Sequence, residues 1–213
     1  MTIPWVNEHF GLFLFESREF HPYQIVTHMF SHANIGHIFL NMFALWMFGT
    51  MLENVWGPKR FLIFYLICGL GASILNSAVN YYEYTQAIQH ISAQDLQTIK
   101  MQGYDLLQQQ KNYLDQYAAR VNVALNVPTV GASGAIFGIL VAFGMLFPNT
   151  LIYVYFLFPI KAKFFVIIYI AIEVYYGFIN SPGDNVAHFA HLGGALFGFL
   201  LVKFWNRSKN TFY

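Results

Sequence analysis

Five apolar runs constrain this chain more than any other feature. They cover roughly 33–52, 61–79, 129–147, 162–179 and 186–205, with breaks at Gly57-Pro58-Lys59-Arg60, at Pro148-Asn149 and at Asn180-Ser181-Pro182-Gly183-Asp184. A helix rises about 1.5 Å per residue, so each run is long enough, or nearly so, to cross a hydrocarbon core of about 30 Å. The 213 residues are 57% hydrophobic and 10% charged, against about 25% charged in a soluble domain. The expected class is therefore an all-α integral membrane protein, a polytopic helical bundle with five visible spans. A net charge of +1 gives no reason to expect a nucleic-acid partner. Cys68, the single cysteine, excludes an internal disulfide and a thiolate metal cage. The first residues have neither the cationic start nor the cleavage site of a signal peptide.

Charge sets the direction. If the spans alternate, Lys59, Arg60, Lys161, Lys163, Lys203, Arg207 and Lys209 fall on one side, and they are seven of the eleven cations. Cytoplasmic loops carry such an excess, so the C-terminus is expected inside. The organisation expected is one membrane domain over 1–213. Residues 1–32 form an external loop, 33–80 two spans, 81–126 an external insert, 127–206 the remaining spans and 207–213 a cytoplasmic tail. The insert has apolar positions at loose helical spacing among glutamines, among them Ile99, Leu106, Leu114 and Tyr117. It reads as one or two amphipathic helices on the membrane surface. Leu151 to Phe158 is too short to span and reads as a buried or interfacial connector.

Three polar groups fall in one layer. The first, third and fifth runs all enter from outside. His37, Ser133 and His191 each lie about 4–5 residues in, or about 6–8 Å below the outer edge. Asn41 follows His37 by four residues on the same helix face. Ser133 sits in Gly131-Ala132-Ser133-Gly134-Ala135-Ile136-Phe137-Gly138, and His191 precedes Gly194 and Gly198. Strips of small residues let helix backbones approach closely, so an imidazole could reach the hydroxyl. Without a glycine strip in register beneath it, His188 is the weaker histidine. A pure packing role remains open for each motif taken alone.

Together, His37-x-x-x-Asn41, Gly131-x-Ser133-Gly134 and Ala190-His191-x-x-Gly194-x-x-x-Gly198 resemble the rhomboid intramembrane serine proteases. The resemblance implies six spans in a full-length protein, the first of them preceding residue 1. It implies a Ser133–His191 catalytic dyad, with Asn41 and His37 as oxyanion donors. It further implies supporting roles for Gly131, Gly134, Gly194, Gly198 and the external-loop His32. Phe137 stands where some members carry a tyrosine that stacks on the catalytic histidine. The fourth span, with Phe165, Tyr169, Tyr175 and Tyr176, would act as a lateral gate under a cap at 180–187. Single-span membrane proteins would be the substrates, lipid the surroundings and a bacterial inner membrane the location, with the site opening outward. No cofactor is expected. No resident metal is expected either, since no HExxH is present and no carboxylate is expected beside His191, with Glu173 lying deeper on its helix. The alternative is an inactive relative that binds transmembrane helices.

Overall fold

The computed structural model describes residues 4–154, 157–179 and 186–207. The Asn180–Asp184 break, most of the expected cap and Lys209 lie outside them. The chain divides into two compact units, Met1–Ile35 with Ser77–Gly131, and Gly36–Asn76 with Ala132–Tyr213.

The second unit carries most of the apolar runs. Helix α2 (Ile35–Trp56), after a short α1 (Pro4–Phe10), widens to π geometry over Leu45–Gly49. It stops at Gly57, whose φ of 78° a side chain would resist. The next residue, Pro58, opens helix α3 (Pro58–Ala87), where a missing N–H costs nothing. At this end of the second unit the Arg60 guanidinium lies 4.0 Å over the Trp205 ring, and Trp205 meets Trp56 edge-on. Such cation and aromatic clusters suit a membrane–water boundary.

After an insert described below come α6 (Ser133–Leu146), a hairpin of β1 (Leu151–Val154) and β2 (Phe158–Lys161), α7 (Ala162–Ile179) and α8 (His188–Arg207). Four helices, Ile35–Trp56, Pro58–His90, Ala162–Ile179 and His188–Asn206, have the length and hydropathy to cross a membrane. Their outward side chains are apolar, as at Phe39, Trp46, Ile167 and Phe204, which water would not tolerate in such number but lipid does.

The run at 129–147 departs from expectation. Its helix has 14 residues and is about 21 Å long, short of a full span. Thr129 is held by an antiparallel bridge to Leu12, and Gly131 takes φ 124°, so helix cannot begin before Ala132. Every residue from Gly134 to Gly144 is buried. A helix apolar on all sides is covered on all sides, and α6 is the centre of its unit rather than a lipid-facing span. Of the two readings of the Leu151–Phe158 connector, the buried one falls: β1 pairs antiparallel with β2, Tyr153 opposite Pro159, and Leu151, Tyr153 and Phe158 are exposed.

The first unit joins segments that are remote in sequence. Residues 93–126 form two helices, α4 (Ala93–Gln108) and α5 (Gln116–Asn126). Ser92 and Asp115 cap them by accepting from backbone N–H groups of the first turn. Their apolar faces do not lie open to a membrane surface: Ile99, Val121 and Leu125 are buried together with Tyr84, Ala87 and Leu14. Leu114, expected on that face, is fully exposed. Gly103 lets α5 close in, since a side chain there would meet Asn122 and Asn126. The N-terminal stretch is fastened by Gln24, which is wholly buried. Its amide donates to the Glu19 carbonyl at 2.9 Å, and its side-chain oxygen accepts from His21 N–H at 3.0 Å. His28 donates through Nδ1 to the Gln24 carbonyl, and burial holds its imidazole below the ordinary histidine pKa.

Candidate functional site

Ser133 is the first residue of α6 and is partly exposed at the helix start. Its Oγ donates to His191 Nε2 at 2.9 Å. Two backbones had to come close for this. A Cβ at Gly194 would overlap the Gly134 carbonyl, and one at Gly198 would stand 2.7 Å from the Gly138 Cα. The two strips face each other across α6 and α8. Phe137, one turn below Ser133, stacks flat on the His191 ring, with centroids 4.2 Å apart and planes 12° apart. Tyr169 of α7 also packs against Phe137, with ring centroids 4.8 Å apart.

Glu173 corrects the expectation that no carboxylate lies beside His191. Its Oε2 lies 2.8 Å from His191 Nδ1 and 2.6 Å from His188 Nδ1. Depth explains the difference. Glu173 stands six residues before Ile179, about 9 Å from the outer end of its helix, close to the layer of His191. The available signal was energetic, because an ionisable group inside a span must pair, and the polar residues of the next helix were its nearest candidates. A carboxylate can only accept, so both imidazoles donate through Nδ1–H. That leaves His191 Nε2 unprotonated, the tautomer that accepts the Ser133 proton. His188 thus belongs to the cluster that sequence reasoning had kept it out of. Glu173, His188 and His191 have side-chain exposures of 5%, 12% and 10%, so these hydrogen bonds work with little competition from water.

His37 and Asn41 share one face of α2, and the His37 imidazole is within electrostatic reach of His191. Asn41 is buried, and its amide nitrogen has no hydrogen-bond partner among the described residues. An orphaned buried donor is costly and needs a reason. Gly131 and His32 belong to the first unit. The Gly131 N–H donates to the His28 carbonyl at 2.9 Å, and both ring nitrogens of His32 are shielded from solvent.

The Rhomboid domain family matches residues 19–207. RHOMBOID-like protein 12, mitochondrial, of Arabidopsis thaliana is 30% identical over 171 residues, covering 80% of this chain and 43% of that protein. Rhomboid protein 1, mitochondrial, of Saccharomyces cerevisiae is 26% identical over 83% of this chain and 40% of its own length. Rhomboid protease GluP of Bacillus subtilis is 27% identical over 83% of this chain and 25% of its own length. The chain thus spans less than half the length of these three relatives. No solved structure matches it. A family match running from the N-terminal segment to the last helix agrees with the apolar helices and the two glycine strips, and the chain belongs to the rhomboid family of integral membrane proteins.

Proposed function

We propose that this chain is an intramembrane serine endopeptidase that cleaves transmembrane or juxtamembrane segments of single-span membrane proteins. One observation carries the reading: a serine hydroxyl donating to a histidine Nε2 at 2.9 Å while the same ring donates its other proton to a carboxylate. In this reaction His191 takes the Ser133 proton as Oγ attacks the scissile carbonyl. Glu173 holds the ring in the accepting tautomer and steadies the imidazolium that forms. His191 then protonates the leaving amine, and a water repeats the sequence to release the acyl group. Asn41, His37 and the Ser133 N–H are the donors for the oxyanion. The unpartnered Asn41 amide supports this, since a donor kept for a transient charge is idle between turnovers. The working unit is thus a dyad with a carboxylate behind it, beyond the Phe137 stacking expected to orient His191.

The site opens to the side opposite the cation-rich loops. We place the protein in a bacterial inner membrane. Relatives of similar identity are named mitochondrial in plants and yeasts, so fractionation of the source cells is the check on that assignment.

The test is cleavage of a single-span substrate by the purified protein in detergent or liposomes. Wild type should cleave, and Ser133 should be labelled by a fluorophosphonate. Ser133→Ala should lose both. Cleavage persisting in Ser133→Ala sinks the proposal. Substrate capture without cleavage or labelling by wild type favours an inactive helix-binding relative.

A further inference from the structure

His188 is the member of the cluster that peptide hydrolysis does not use. Its Nδ1 and the Nδ1 of His191 converge on one carboxylate oxygen of Glu173, and the two rings stand nearly perpendicular, at 87° with centroids 6.3 Å apart. All three ligand atoms lie within 4.8 Å of one another. Two histidines at i, i+3 on one helix turn and a glutamate from the facing helix make a His₂Glu set, which is a zinc donor set with one position left open. Hard cations such as magnesium and calcium prefer oxygen-only shells, so they fit this nitrogen-rich set poorly.

We propose that Glu173, His188 and His191 bind a zinc-class divalent cation and that its binding switches the protease off. The inhibitory half rests on the serine-protease reading; the binding half does not. Each imidazole would move its single proton from Nδ1 to Nε2 as the metal takes Nδ1, with no net loss of a proton from either ring. The metal replaces two N–H···O bonds by two N–metal bonds and one O–metal bond. For His191 the consequence is decisive. Its Nε2, which accepts from Ser133, becomes an N–H donor and can no longer take the hydroxyl proton. Metal occupancy and general-base catalysis therefore exclude each other in one ring. The side chains are nearly dry, which favours a charged metal–carboxylate contact once the ion has entered. His188, at the first position of α8 and the most exposed of the three, is the point of entry.

The experiment separates the two halves. Zinc is titrated into purified Ser133→Ala protein by calorimetry, and cobalt(II) is followed by its visible absorption. The expected result is one tight ion per chain. His188→Ala and Glu173→Gln should weaken it by more than the roughly 10–100-fold that loss of an outer-shell partner costs. Because a loss variant could misfold, His188→Cys supplies a gain: it should keep the ion and add a sulfur-to-cobalt charge-transfer band. Stoichiometric binding absent from the Ser133→Ala protein, or unchanged affinity in His188→Ala, overturns the site. With Ser133 intact, zinc should stop substrate cleavage, a chelator should restore it, and the inhibition midpoint should rise in His188→Ala in step with binding. Tight binding with undiminished or increased cleavage overturns the inhibitory role. Absence of cleavage at every zinc level overturns the protease reading and that role with it, while leaving the binding result to stand.

Discussion

A carboxylate within a membrane-spanning helix is costly, by up to about 2.5–3.5 kcal/mol at the bilayer centre, unless something meets it. In Glu173 the compensation is two imidazole N–H bonds to one oxygen, and that compensation selects the tautomer of His191. Glu173→Gln keeps the shape but offers an amide that can donate as well as accept, so the wrong tautomer becomes available. We expect kcat to fall by about 10²–10⁴-fold with KM little changed, since the corresponding change in Ser-His-Asp proteases lowers kcat by about 10⁴-fold. A kcat within threefold of wild type in steady-state cleavage assays would exclude an orienting role for Glu173. Asn41 makes the opposite trade. Its amide nitrogen has no hydrogen-bond partner among the described residues, so Asn41→Ala should leave thermal stability unchanged or raised. Cleavage should drop by the 2.7–4 kcal/mol, or about 10²–10³-fold, that one oxyanion donor is worth. Parallel loss of stability in a thermal melt would identify Asn41 as an ordinary packing residue instead.

At the scale of elements, the glycines decide how close two helices stand. The α6–α8 pair has backbone against backbone where Gly134 and Gly138 meet Gly194 and Gly198, and only there can a histidine ring lie within hydrogen-bond reach of a helix-start serine. Gly198→Leu would place a side chain against the Gly138 Cα, two turns below His191. Overpacking of this kind costs about 1–3 kcal/mol, and the larger effect should be a widened Ser133–His191 gap. Fluorophosphonate labelling of Ser133 should be slowed at least about tenfold even where the variant still folds; a labelling rate equal to wild type would show that the strip does not set the gap. The strips themselves were legible, because small residues at every fourth position have one packing use in a membrane. The insert was less so. Its helical spacing showed amphipathic helices, but periodicity says only that a face is apolar and not what covers it. Ile99 and Val121 cover each other's helices along with Leu14 and Tyr84, partners that lie far apart in the chain.

For the whole molecule, the cation excess beside alternate apolar runs sets an expected topology, and labelling tests it. Cys68 is the single cysteine and is fully buried, so the protein itself supplies little background to thiol labelling. In sealed inverted and right-side-out vesicles, Gln94→Cys in the insert should react with a membrane-impermeant maleimide from the outside. Lys163→Cys, at the start of α7, should react only from the cytoplasmic side. Both labelling from one face would overturn the alternating spans and with them the shared depth of His37, Ser133 and His191.

Taken alone, the sequence determined the membrane class, set an expected direction for the spans and put a serine and a histidine at one expected depth. Each of these follows from properties local to a segment: the length of an apolar run, the charge beside it, and a residue's count from the end of its helix. Tertiary structure alone decided that the Ser133 helix is short and buried from Gly134 to Gly144, and that the insert closes on the N-terminal stretch. It alone decided that Glu173 and His188 join His191. These depend on which helix faces are turned together and on how far a long side chain reaches across, and neither quantity is written along one strand of sequence. A carboxylate 18 residues from its histidine finds it only once α7 and α8 pack side by side.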